Sequence, residues 1–131
     1  MKKRAVITAA LVAGLGVVTL DATPAVAQAP TVEAEVATAI VDRMPEGSGQ
    51  AFAADVGEVH AWMRITGAEG ATIHHVWIHG EDEWSVPLTI GSTSWRTWSS
   101  KQIPPEWAGE WRVEIRDDTG NLLEALSFTV G

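Results

Sequence analysis

After residue 30 the chain shows no sustained helical period, only short runs in which apolar and polar positions alternate, punctuated by Gly, Pro, Asn and Asp. That pattern predicts strands that bury one face. The first run, Thr31 to Asp42, carries Val32, Ala34 and Val36, then Ile40 and Val41. Its Ala content keeps helix open as an alternative, and Met44 to Gly49, with one Pro and two Gly, is expected to end it. In Val56 to Thr66 the residues Val59, Ala61, Met63 and Ile65 share one face, and His60, Trp62, Arg64 and Thr66 the other. Ala71 to His79 forms a third strand, expected to pair with the second. Trp84, Val86, Leu88 and Ile90 alternate along a fourth, where Pro87, lacking a donor, predicts a sheet edge or a bulge. Ser94 to Lys101 is the fifth, and Ile103-Pro104-Pro105 after it predicts an extended, non-helical connection. Glu110 to Arg116 and Leu122 to Val130 complete the set across the turn Asp117 to Asn121. Seven strands in about 100 residues predict an all-β fold, an immunoglobulin-like antiparallel β-sandwich.

The N-terminal segment follows different rules. Lys2, Lys3 and Arg4 precede 16 uncharged residues, Ala5 to Leu20, and then Pro24 and Ala25-Val26-Ala27. This is the order of a secretory signal: the apolar run is shorter than the roughly 20 residues that span a bilayer, and small residues occupy the −3 and −1 positions of a cleavage site after Ala27. The expected organisation is a signal peptide over 1–27 and a single β domain over 28–131. Once cleaved, the product is expected to be extracytoplasmic, periplasmic or secreted, with no stable membrane insertion.

Removing that segment changes the charge balance. Residues 28–131 carry six basic and sixteen acidic side chains, a net charge of −10. Such a domain repels phosphate backbones and anionic headgroups, so nucleic acid is not an expected partner. The chain has no Cys, which excludes disulfides and thiolate metal sites, and seven Trp. Each Trp can bury about 150–250 Å², so the core is expected to rest on these rings.

Strand parity separates the tryptophans. Trp95 and Trp98 are three apart and must point to opposite faces, and Trp62 is out of phase with Ala61 and Met63. An outward Trp beside Arg is the composition of a flat ligand platform, since the ring stacks on sugars or planar groups and the guanidinium adds directional donors. The same parity also suits a Trp covered by a loop. The four histidines, His60, His74, His75 and His79, lie on two strands. His60, His75 and His79 are the alternative candidates for a Cu or Zn site with nearby acids, although His75 and His79 stand about 13 Å apart along one strand. Ser99 and Lys101 share a face and raise a Ser/Lys nucleophile, but no oxyanion loop accompanies them. Glu106, Glu110, Glu114, Asp117 and Asp118 are as many acids as an acidic surface carries, and Asp117 to Asn121 lacks the bidentate Glu of a calcium loop and reads as a hairpin turn. The expectation is a protein that is not an enzyme and has no cofactor.

The motifs His75-Val76-Trp77, Trp95-Arg96-Thr97-Trp98-Ser99-Ser100-Lys101, Pro105-Glu106-Trp107-Ala108-Gly109-Glu110-Trp111 and Asp118-Thr119-Gly120 resemble the bacterial domain-of-unknown-function family 2914 (DUF2914). With Ala37 to Pro45 as the opening strand, the resemblance extends over about residues 31–130. It implies an extracytoplasmic β domain without established catalysis, and places the family signature on His75, Trp77, Trp95, Arg96, Trp98, Lys101, Trp107 and Trp111. The residues expected to bind are Trp62, Arg64, His75, Trp77, Arg96, Trp98 and Lys101, and the expected partner is a protein or glycan of the cell envelope.

Overall fold

The computed structural model describes residues 29–131, so the expected signal segment and cleavage site lie outside the described residues. The strands are β1 (Thr31–Ala37), β2 (Ala39–Val41), β3 (Met44–Glu46), β4 (Ala51–Phe52), β5 (Gly57–Thr66), β6 (Thr72–His79), β7 (Asp82–Thr89), β8 (Ser94–Ile103), β9 (Gly109–Arg116) and β10 (Leu122–Val130). A short 3₁₀ turn, Pro105–Trp107, joins β8 to β9. The order β1-β5-β8 makes one sheet, β4-β10-β9-β6-β7 the other, and β2 and β3 form a separate hairpin. The seven long strands are the seven read from alternation, and their division between two facing sheets gives the immunoglobulin-like sandwich.

The alternation works as it should where both neighbours are paired. Val59, Ala61, Met63 and Ile65 of β5 face Ile73, His75 and Trp77 of β6 and Trp111, Val113 and Ile115 of β9, all buried. One half of the core gathers Val36, Val59, Ala61, Trp77, Ile103, Trp111, Val113, Phe128 and Val130. The other gathers Met63, Ile65, Ala68, Ile73, Ile90 and Ile115, with Trp95 packed against them. Trp77 is fully buried on β6, an interior strand of its sheet between β9 and β7, and antibody domains likewise set a buried Trp against their inter-sheet disulfide. At Gly91 the backbone crosses the ring of Trp95 so closely that a Cβ would come within 2.7 Å of it.

Several expectations change. β5 and β6 do not pair: β5 lies between β1 and β8, while β6 lies between β9 and β7 in the opposite sheet. Met44 to Glu46 is not a break but a strand, paired with β2 through Val41↔Met44 and Ile40↔Pro45. Next to a two-residue turn the Val41↔Met44 pair exchanges hydrogen bonds, which leaves Ile40↔Pro45 a non-bonded pair that does not need the N–H proline lacks. The turn itself holds Asp42 (φ 53°) and Arg43 (φ 62°) in the left-handed region that a type I′ hairpin requires. The connection after Ile103 is extended at Pro104 but closes into the 3₁₀ turn at Pro105, whose fixed φ suits a first helical position. Pro87 does lie on an edge strand, β7.

Candidate functional site

The sandwich divides the candidate residues among three places. The first is the interior. His75 is fully buried and Ser99 nearly so. The His75 Nδ1 to Ser99 Oγ distance is 2.7 Å, Trp77 Nε1 donates to the same Oγ at 3.1 Å, and His75 Nε2 lies 3.3 Å from Met63 Sδ. One assignment of protons satisfies every group: the indole N–H donates to Ser99, the Ser99 hydroxyl donates to Nδ1, and Nε2–H donates to the thioether. The imidazole is therefore neutral. Burial pushes the His75 pKa down from 6.5 to about 4, because a second ring proton would be charged, desolvated and without an acceptor. This clasp ties β6 to β5 and β8 across the sandwich, midway between the two halves of the core. Replacing Ser99 with Ala strands both the Nδ1 atom and the indole N–H, and should destabilise the domain by about 2–4 kcal/mol in urea unfolding. The neighbouring Ser100→Ala, on the exposed face, should change stability by less than about 0.5 kcal/mol.

The second place is an aromatic stack at the open edge. Lys101 shares the inward parity of Ser99 and Ile103, not that of Trp98, and its Nζ sits 4.2 Å from the Trp84 ring centroid and 5.0 Å from that of Trp107. Trp84 stacks on Trp111 at 5.7 Å, His79 stacks on Trp111 at 4.6 Å, and Trp111 Nε1 donates to the Trp107 carbonyl. An inward-pointing cation on an edge strand is a device that discourages edge-to-edge pairing. Trp77, His75 and Lys101 thus belong to the scaffold and not to an outer binding face.

The third place is the outer face of the three-stranded sheet, where Trp62, Arg64, Arg96 and Trp98 do come together. Trp62 pairs with Trp98 and Arg64 with Arg96 across the β5–β8 ladder. Parity correctly turns Trp62 outward, yet it is only 2% exposed, because the β2–β3 hairpin lies over it. Its Nε1 donates to the Arg43 carbonyl at 2.9 Å. Arg43 in turn donates to the Arg96 carbonyl at 2.6 Å and sets its guanidinium 5.5 Å from the Trp98 ring and 5.7 Å from that of Trp95. Arg96 reaches Met44 Sδ on the same hairpin at 3.3 Å. Trp62 is therefore a covered ring, and the partly exposed member of the pair is Trp98. Trp95 turns inward toward the Ile65 and Ile73 half of the core.

Electrostatics sharpen this face. Arg64 is paired with Glu33 at 3.3 Å. Arg112 and Arg116, on the outer face of the other sheet, both bind Glu114 and hold its carboxyl below the usual carboxylate range, the Arg112 hydrogen bond being the main cause. Among the described residues, Arg43 and Arg96 have no carboxylate within ion-pairing distance. Further along β8 on the same face, Ser100 lies 2.7 Å from His60 Nδ1, and Gln102 approaches Glu58 at 3.5 Å. Arg43, Ser100 and Gln102 had not been expected at a site. Ser100 and Gln102 carried a signal, since they share the parity of Arg96 and Trp98. Arg43 carried none, because a turn outside any predicted ladder brings it there.

The alternative metal set does not assemble. His60 points out of the three-stranded sheet, His75 into the core, and His79 onto Trp111, and the described residues contain no group of three His, Asp or Glu side chains able to hold an ion. The Ser99–Lys101 pair also fails, since Ser99 is committed to His75 and Trp77. Asp117 accepts from the backbone N–H groups of Thr119 and Asn121 and closes the β9–β10 hairpin, as a turn and not a calcium loop.

Fold and surface together define an immunoglobulin-like sandwich with one arginine–tryptophan face in an otherwise acidic domain. Residues 70–130, β6 to β10 with the turn before β6, match the family described as protein of unknown function DUF2914. The match begins after β5, so it is shorter than the resemblance over 31–130. Curated proteins gave no match.

Proposed function

We propose that the protein is a noncatalytic binding module, working outside the cytoplasm, that engages an envelope partner through the outer face of the three-stranded sheet. The observation that carries this reading is the pair Arg43 and Arg96, two guanidinium groups without carboxylate partners among the described residues, seated beside the half-buried ring of Trp98. In a domain of net charge −10, cations left uncompensated on one face favour an anionic or carbonyl-rich partner. The buried clasp and the aromatic edge hold the face rigid, as a binding surface needs.

The test is capture from an envelope extract with the wild-type protein and the variants Trp98→Ala and Arg96→Ala, each first checked by circular dichroism. Both variants should fold, with losses under about 2 kcal/mol because neither side chain is fully buried. Captured material should fall at least tenfold. Unchanged capture by folded variants would contradict the reading.

A further inference from the structure

The outer face of β8 has a direction, and this fixes the chemistry of what it takes. Arg96, Trp98, Ser100 and Gln102 alternate outward along one edge strand, so their side chains form a row about 20 Å long. The row is not uniform. At one end stand the two guanidinium groups of Arg43 and Arg96, which only donate and so take only hydrogen-bond acceptors. Next comes the ring of Trp98. At the other end, Ser100, His60 and Gln102 offer neutral donors and acceptors, with Glu58 beside them.

Resting on the binding role proposed above, we propose that this row binds an extended glycan in which acidic sugars alternate with neutral ones. One carboxylate would be held by the fork of Arg96 with Arg43, an adjacent sugar would stack its C–H face on Trp98, and neutral hydroxyl or amide groups would meet Ser100, His60 and Gln102. A uniformly acidic chain, whether polyuronate or acidic peptide, fits less well: it would set further carboxylates against Glu58, as well as Glu33 and Glu35, which pair across β1–β5 with Arg64 and Trp62. A fully neutral glycan would leave both guanidinium groups without an anion.

Calorimetric titration of the purified protein tests this with three hexasaccharide probes: hyaluronan, which alternates glucuronate with N-acetylglucosamine, fully charged oligogalacturonate, and neutral chitohexaose. Hyaluronan should bind at least tenfold tighter than either of the others. Its affinity should fall with added salt, and it should drop at least tenfold in both Arg96→Ala and Trp98→Ala. Ser100→Ala, which leaves the core untouched, should weaken it several-fold, and Arg112→Ala on the opposite sheet should leave it unchanged.

Equal or tighter binding of chitohexaose or oligogalacturonate would overturn the alternating-charge inference. So would binding lost equally in Arg112→Ala. If no probe binds while capture from envelope extract still depends on Trp98, the glycan inference fails and the binding face stands. If that capture is also indifferent to Trp98, both fail.

Discussion

Replacing Trp77 by Ala should destabilise the domain by about 3–5 kcal/mol, the largest single-residue loss in this core. The ring is fully buried, meets Phe128 edge-on at 6.2 Å, and is the donor that starts the Ser99–His75 clasp. Domains of this size are stable by about 5–15 kcal/mol, so the substitution removes about a fifth of the total or more. Each kcal/mol corresponds to about 4–8 °C in Tm, which a thermal melt resolves easily. Trp77→Phe separates the two contributions, since it keeps most of the apolar surface and removes only the indole N–H and part of the ring volume. A loss of about 1–2 kcal/mol is expected there. A Trp77→Ala variant as stable as Trp98→Ala would show that the clasp half of the core is not where the fold is held.

Lowering the pH from 6.5 to 4 should cost the domain about 3 kcal/mol through His75 alone. In the unfolded chain this imidazole titrates near 6.5, and in the folded protein at about 4. Above pH 6.5 the ring is neutral in both states and contributes no slope. Between 6.5 and 4 the unfolded state binds a proton that the folded state refuses, so stability falls as pH falls. Near pH 4 the folded ring protonates as well and the slope from this group ends. His75→Gln keeps a polar partner for Ser99 and cannot titrate in this range. Urea midpoints measured across pH 4–7 should therefore fall more steeply for the wild type than for the variant. Parallel curves for the two proteins would mean that His75 is not held neutral by burial.

What was legible in the sequence is what depends on near neighbours. Parity along β5, β8 and β9 separated inward from outward residues, and Pro87 marked an edge because a missing N–H is a property of the residue itself. Parity also assigned Trp95 and Trp98 to opposite faces. It even held the correction for Lys101, which is in phase with Ser99 and Ile103 and turns inward with them. Partner choice was not legible. Whether β5 pairs with β6 or faces it across the core depends on contacts far apart in the chain, and the expectation that His60 lay beside His75 fell with it. The β2–β3 hairpin was hidden for a local reason: Asp42-Arg43 occupies a turn that usually calls for Asn-Gly. That strained pair is held by the Arg43 bonds to Trp62 and Arg96 and by its stacking on Trp98. The hairpin both covers Trp62 and delivers Arg43, so the outward Trp62 expected as part of a platform is in fact the foundation beneath it.

The motifs that carried the resemblance divide along the same line. His75, Trp77, Ser99, Lys101, Trp107 and Trp111 make the clasp and the aromatic edge, whereas Arg96 and Trp98 from the same motifs reach the outer face. Rare residues in a shared motif are thus mostly scaffold here. The surface they support depends on Arg43, which lies outside the segment matched to the family.

Binding at the proposed Trp98 face is read most directly from the seven indole N–H signals of the ¹⁵N-labelled protein. During titration with the hyaluronan hexasaccharide, the Trp98 signal should move progressively and saturate. Trp62, beneath the hairpin, should shift less, and Trp77, Trp84, Trp107 and Trp111 should stay in place. Movement led by Trp84, Trp107 and Trp111 with Trp98 unmoved would place binding at the Lys101 edge and contradict the account.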